Sequence, residues 1–185
     1  MKLNCECTEE IICEERDEYE LWQISILKEC LRVLKKDGSI FYNHKPRRVN
    51  KRLIFPTNWL NFFKINQVII WDRGGHPNFF PWIFCQNTEY IIWIRKQKPW
   101  FNTKYYKYGE VWKINFKTNT EHPAPFPIEI PERCILSTTE ENDIVLDPFV
   151  GSGTTCLAAK NLKRNYIGID ISKKYCQMAD KLLKL

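Results

Sequence analysis

The sequence predicts an α/β fold whose last part has the pattern of a parallel sheet covered by helices, and three observations carry that prediction. Residues 143–185 run in the order β-type segment, glycine turn, helical pattern, β-type segment, amphipathic helix, which is how a parallel sheet with crossover helices is written in sequence. Residues 18–36, EYELWQISILKECLRVLKK, repeat apolar side chains at helical spacing and lead through Gly38 into the short β-type run SIFYN. Residues 65–71, INQVIIW, and 89–96, EYIIWIRK, are β-branched and aromatic runs of strand length.

Taken in order, the first helix places Ile24, Leu27, Leu31 and Leu34 on one face, with lysines in its last turn and Gly38 as its stop. The strand at 39–43 follows at once. HKPRRVNKR, at 44–52, is basic, contains a proline and reads as a loop. The strand at 65–71 ends in DRGGHPN, where the glycine pair and Pro77 mark a loop, and the strand at 89–96 is expected to pair with it across that loop. Residues 96–119 mix lysines with Trp100, Phe101, Tyr105, Tyr106, Tyr108 and Trp112 without helical or strand periodicity, so an irregular excursion is expected. HPAPFPIEIPERCILSTT, at 122–139, reads as an extended proline-spaced stretch followed by a short helix starting near Pro131, since proline fits a first helical turn. DIVLD, at 143–147, reads as a buried strand, GTTCLAAKNL as a helix, NYIGIDIS, at 165–172, as a second strand, and KKYCQMADKLLKL as the terminal helix.

The 185 residues suit one domain. No stretch approaches the roughly 18 uncharged apolar residues of a membrane span, and the acidic start, MKLNCECTEEIICEERDEYE, has no signal-peptide pattern. A cytoplasmic location without membrane partners is expected. The 8 cysteines are scattered and read as reduced thiols. Cys5, Cys7 and Cys13 lack the second ligand pair or nearby histidine of a zinc site, so no metal is expected. The formal charge of +6 is unevenly spread: the first twenty residues are acidic and the remainder correspondingly basic, which points to an anionic partner.

The stretch DPFVGSGTT, at 147–155, carries the chemistry. In a strand, glycine turn and helix unit, the glycines admit a ligand close to the backbone and the helix N-terminus offers it free N–H groups. A phosphate-binding P-loop would need Gly-Lys-Ser/Thr where this chain has Gly-Thr-Thr, and a dinucleotide G-x-G-x-x-G would need a third glycine where it has Cys156. That missing glycine argues against a nicotinamide-dependent oxidoreductase. What stands is Asp147 at the end of one strand and Asp170 at the end of the next, roughly the 20-residue offset of a ribose-binding carboxylate. A cofactor site follows.

These residues resemble a known family. DPFVGSGTT, followed by AAKNLKRNYIGIDIS and preceded by HPAPFPIEIPERCIL, is similar to the cofactor half of S-adenosylmethionine-dependent DNA amino-methyltransferases, which modify adenine N6 or cytosine N4. RVLKKDGSIFYNHKPRR and IIWDRGGHPNFF…TEYIIWIRK resemble that family's middle segments in the same order. The resemblance runs from about Asp17 to the C-terminus. It implies a Rossmann-like methyltransferase sheet of the circularly permuted group, with the catalytic half first and the cofactor half last, which accounts for a glycine turn so late in the chain. It also implies one methyltransferase domain over 1–185, with a target-recognition insertion at 96–121 and the cofactor-binding half at 122–185. S-adenosylmethionine is the implied cofactor. Asp147, Pro148, Phe149, Gly151, Ser152, Gly153 and Thr154 would line its methionine part, Asp170 its ribose, and Phe126 and Pro127 would close over the pocket.

Double-stranded DNA is the implied partner. Lys45, Arg47 and Arg48 with Lys51 and Arg52 form a basic loop, Arg73 lies in the next, and Lys96, Lys98, Lys104 and Lys107 stand among aromatics. Lysines and arginines neutralise phosphates and aromatic rings stack on extruded bases. The family holds its flipped base with an Asp, Asn or Ser followed by Pro-Pro and an aromatic residue, aligning the amine for in-line attack on the methyl carbon without a metal. This chain contains no Pro-Pro dipeptide, so its catalytic residues are unassigned. Asn78-Phe79-Phe80-Pro81-Trp82 has only superficial similarity to the motif. The family places that motif upstream of EYELWQ, after a strand lying between the glycine-turn strand and the SIFYN strand. The expectation is a methyltransferase sheet incomplete at its N-terminal side, with a mid-sheet gap, inactive alone and of low stability unless a second chain completes it. The alternative is a noncatalytic DNA-binding or partner-binding protein that keeps the fold as a scaffold.

Overall fold

Asp17 starts the first helix by accepting a hydrogen bond from the Glu20 N–H at 2.9 Å, the N-cap role of a short acidic side chain. The computed structural model describes residues 17–75, 84–115 and 127–184, and in it this helix, α1, spans Glu18–Val33. It stops short of the expected Lys36. Leu34 leaves helical geometry, and the Lys96 ammonium reaches the carbonyls of Leu31 and Leu34 at 3.0 and 3.2 Å, supplying donors to the helix end. Ile24 and Leu27 pack on Ile92 and Ile94, with Trp59, Leu60 and Phe63 closing the cluster.

The strands β1 (Ser39–His44), β4 (Ile65–Asp72), β5 (Thr88–Arg95) and β6 (Val111–Lys113) form one sheet in the order β1-β5-β4-β6. The expected pairing of the two apolar runs is present: β4 and β5 are antiparallel, with Ile69 opposite Ile91 and Ile70 opposite Tyr90. Two segments are more ordered than the sequence suggested. The basic loop contains a small hairpin, β2 (Arg47–Val49) with β3 (Arg52–Ile54). Its turn residues Asn50 and Lys51 have φ of 48° and 65°, the left-handed geometry of a tight hairpin turn usually signalled by glycine. The aromatic excursion forms a 3-10 helix at Thr103–Tyr108 and then β6, which runs parallel to β4 and buries Trp112. A three-residue strand and a 3-10 turn leave no period to detect.

On one face of this sheet, helix α2 (Glu129–Thr138) seats Ile130 and Cys134 against Ile69, Trp71, Ile91 and Trp112. It begins two residues before the expected start, with Pro131 inside its first turn. The remaining elements are β7 (Ile144–Asp147), α3 (Thr154–Asn161), β8 (Asn165–Gly168) and α4 (Lys173–Lys184). As expected, β7 and β8 are parallel, Val145 opposite Tyr166 and Asp147 opposite Gly168. Val145 packs with Ile135, Ala158 and Ala159. The expectation of a buried β7 is not met: Ile144 is 59% and Leu146 37% exposed, because among the described residues only the α2 and α3 side of this pair is covered. The strand β8 ends at Gly168, earlier than expected, and is exposed throughout. No described helix is long and apolar enough to cross a membrane. Among the described residues, Cys30, Cys85, Cys134, Cys156 and Cys176 are not joined in disulfides, while Cys5, Cys7 and Cys13 lie outside the described residues.

Candidate functional site

The turn between β7 and α3 is built by its own glycines and acids. Gly151 and Gly153 have φ of 51° and 97°, in the left-handed region that glycine enters without a Cβ penalty. A Cβ on Gly153 would stand 2.9 Å from that of Ala179 in α4, so this glycine also allows α3 and α4 to approach. At Gly151 the space is open, the nearest atom being the Phe149 carbonyl at 3.9 Å. Asp147 accepts from the Phe149 N–H at 3.0 Å. Asp170 uses one carboxylate oxygen for the Gly151 N–H at 3.0 Å and the other for the Ser172 N–H at 2.8 Å. Asp147, at the end of β7, and Asp170, two residues past the end of β8, thus face one turn. The N-cap of α3 is Gly153, which has no side chain to cap it, and a helix N-terminus offers its positive end and first N–H groups to a ligand.

The third glycine missing from the motif is replaced across the interface. Cys156 is 2% exposed, and a Cβ on Gly168 would lie 3.0 Å from its sulfur and 2.7 Å from a Val150 methyl. Close packing of helix on strand, which a glycine on the helix would permit, is here provided by a glycine on the strand.

Of the expected cofactor residues, Asp147, Pro148, Phe149, Gly151, Ser152, Gly153, Thr154 and Asp170 converge on this turn, and Pro127 is buried just before α2. Phe126 lies outside the described residues. One contact at the turn was missed: Trp22 of α1 packs edge-on against Phe149 at 5.5 Å between ring centroids. At the other end of β7, Lys35, just past α1, bonds Asp143, just before the strand, at 2.8 Å. The signal for Trp22 was an indole lying off the apolar stripe of its helix.

The cationic residues divide by environment. Arg47 bonds Asp17 at 2.8 Å and Glu20 at 3.0 Å, with its guanidinium over the rings of Tyr19 and Trp59. Arg73 and Lys45 face the buried Glu89 carboxylate at 3.1 and 3.7 Å, and Asn43 donates to its other oxygen at 2.9 Å. Lys96 serves the end of α1. Arg48, Lys98, Lys104 and Lys107 are exposed. Beside Arg47, the His44 ring lies between the Tyr19 hydroxyl, at 2.8 Å, and Trp59. Burial holds its pKa below the ordinary histidine value, the Lys45 carbonyl opposing and the Arg47 charge reinforcing the shift.

A family model described as DNA methylase, for N6 and N4 methyltransferases, matches residues 9–181. The chain belongs to this DNA methylase family. Among curated relatives, the type II methyltransferase M.BglII of Bacillus subtilis is 35% identical, over 90% of this chain and 57% of that protein. M.HinfI of Haemophilus influenzae is 36% identical over 89% and 50%, and M2.DpnII of Streptococcus pneumoniae 34% over 92% and 68%. The methylase chain therefore spans 57% and 50% of the length of the first two. Among solved structures, the M1.HpyAVI–SAM complex superposes with a TM-score of 0.72 at 30% identity, over 88% of this chain and 82% of that one. PvuII DNA methyltransferase, cytosine-N4-specific, gives 0.77 at 21% identity over 89% and 70%, a likeness of fold. The mixed α/β architecture is that of the S-adenosylmethionine-dependent DNA methyltransferases.

Proposed function

We propose that this chain forms the cofactor-binding and DNA-facing part of a methyltransferase that moves a methyl group from S-adenosylmethionine to the exocyclic amine of adenine (N6) or cytosine (N4) in DNA. The observation that carries the reading is the turn at 147–154, tied to Asp170 through the Gly151 N–H. Its residues fit the cofactor: the Gly151 α-carbon is open, the N-cap of α3 is a glycine, and each Asp170 oxygen keeps a lone pair for a hydroxyl after accepting its backbone N–H. Half-exposed Phe149, backed by Trp22, adds an apolar wall. When bound, S-adenosylmethionine supplies an electrophilic methyl group on a sulfonium. The chain's residues would hold and orient it, Asp147, Ser152 and Thr154 at its methionine part, and the 126–127 segment, Phe126 and Pro127, would close the site. Arg48, Lys98, Lys104 and Lys107, the exposed cations, face DNA phosphates, and Lys45 joins them.

Base capture needs a further segment. The sequence has no Pro-Pro dipeptide. Among the described residues, β1 pairs only with β5 and β7 only with β8, so each keeps an edge without a strand partner. On this reading a strand carrying the base-binding motif would pair with the open edges of β1 and β7, and a second chain could supply it. The test is titration of the purified chain with S-adenosylmethionine by calorimetry, beside transfer of labelled methyl groups to DNA. Binding without transfer is expected, with transfer restored by a polypeptide carrying the motif. Robust transfer by these 185 residues alone would overturn the need for completion, and no binding would overturn the cofactor site. The absent dipeptide also favours a second reading, a noncatalytic DNA-binding scaffold, which predicts no turnover with any added polypeptide.

A further inference from the structure

A cavity of about 390 Å³ lies on the face of the large sheet that also carries α2, and no residue of the glycine turn is among those that line it. Its size is within the range of small-ligand sites. Its walls are mainly rings, among them Phe41, Trp93, Phe101, Tyr105, Tyr106 and Tyr108. Phe41 and Trp93 are cross-strand partners stacked at 5.4 Å and 26°, and Phe101 continues the row 5.6 Å beyond Trp93. Tyr105 and Tyr108 face each other at 5.5 Å and 30°. The polar groups are Gln67, Glu110 and Ser137. Backbone bonds from Asn102 N–H to the Ser137 carbonyl and from Ile70 N–H to the Glu110 carbonyl, both 2.8 Å, fix the segment that forms the outer wall. The same 3-10 helix that contributes the tyrosines also carries the exposed Lys104 and Lys107.

The geometry points to a second nucleic-acid contact, a pocket that takes one unpaired base of a DNA strand while Lys104 and Lys107 hold the flanking phosphates. Aromatic walls accept the face of any base, and adjacent cations track the backbone, the combination found in single-strand binding sites. A ring cage with a carboxylate at its edge also suits an organic cation. Here, however, the Arg133 guanidinium already lies over Tyr108 at 4.8 Å and Trp112 at 5.4 Å, and the neighbouring lysines repel a positive ligand. The polyanion is the better match. The inference rests on the DNA-directed reading for its polymer, and adds a contact separate from the cofactor turn.

The experiment uses the full chain, saturated with S-adenosylhomocysteine, and a short single-stranded oligonucleotide containing one 2-aminopurine. Stacking in the pocket is expected to quench the probe. Tyr105→Ala and Tyr106→Ala are expected to lose the quench and weaken binding about tenfold. Lys104→Gln weakens binding but leaves the quench at saturation. Tyr106 is 76% exposed, so its variant retains the fold. Unchanged quenching in both tyrosine variants would overturn the proposal, as would a pocket-tryptophan fluorescence response to tetramethylammonium but not to the oligonucleotide. S-adenosylhomocysteine binding, measured by calorimetry on each protein during that saturation, separates the two readings: cofactor binding without quenching removes this pocket alone, and quenching without cofactor binding removes the methyltransferase site alone.

Discussion

Gly153 and Gly151 share a motif but carry different constraints. Gly153→Ala combines left-handed strain with a clash against Ala179 at 2.9 Å; it is expected to cost about 3 kcal/mol in urea unfolding, beside the loss of cofactor binding. Gly151→Ala meets only the strain, costs about 1–2 kcal/mol, and is expected to weaken the cofactor by crowding its approach. The two glycines and both acids were legible because a turn with positive φ restricts residue type. The Gly168 and Cys156 exchange was not, since nothing local marks a glycine on a strand as the partner of a cysteine on a helix. At the same scale, the Asp143 carboxyl is held below its ordinary pKa by the hydrogen bond from Lys35 and by the Glu140 N–H. A depressed folded-state pKa stabilises the fold above the unfolded value near 4, and that contribution disappears as pH falls through the folded value. Melting temperature should therefore drop more steeply in the parent than in Asp143→Asn between about pH 5 and pH 3.

At the level of elements, charge alone misleads about Lys96. Its ammonium bonds the carbonyls of Leu31 and Leu34, where a cation also complements the helix dipole. Lys96→Ala is expected to lower stability by about 1 kcal/mol and to speed amide exchange in the last turn of α1. The salt dependence of DNA binding should be unchanged, whereas Lys104→Ala should reduce its slope by about 1. The sequence revealed α1, β1, β4, β5, α3 and α4 because each has a sustained period or a clear terminator. The β2–β3 hairpin escaped notice because its turn is Asn50-Lys51, and β6 because it has only three residues. The exposure of β7 was illegible for another reason: an apolar run reads as buried whether or not anything covers it.

Across the whole molecule, packing is uneven. The sheet built on β4 and β5 has buried residues on both faces, Ile92 and Ile94 under α1 and Ile69, Trp71 and Ile91 under α2. The β7–β8 pair is covered on the α2 and α3 side, while Ile144 and Leu146 of β7 and all of β8 are exposed. Sub-global opening tracks local burial, so amides of Ile144–Asp147 and Asn165–Gly168 should exchange well before those of residues 91–94 in native-state hydrogen exchange. Equal protection in both regions would refute this. The family and the order of its segments were readable because the glycine turn and its flanks are specific. The uneven packing was not, since it depends on which faces find a neighbour.

The sulfur beneath Gly168 has a chemical consequence. Burial, reinforced by the Asp147 charge, pushes the Cys156 thiol up to about 11, and alkylating reagents attack the thiolate. Cys156 should react with iodoacetamide only when β8 lifts from α3, long after the less deeply buried Cys176, with mass spectrometry of the peptides distinguishing the two. Its labelling rate then serves as a clock for opening of the cofactor turn, and a ligand that holds the turn closed should slow that clock without touching the sulfur.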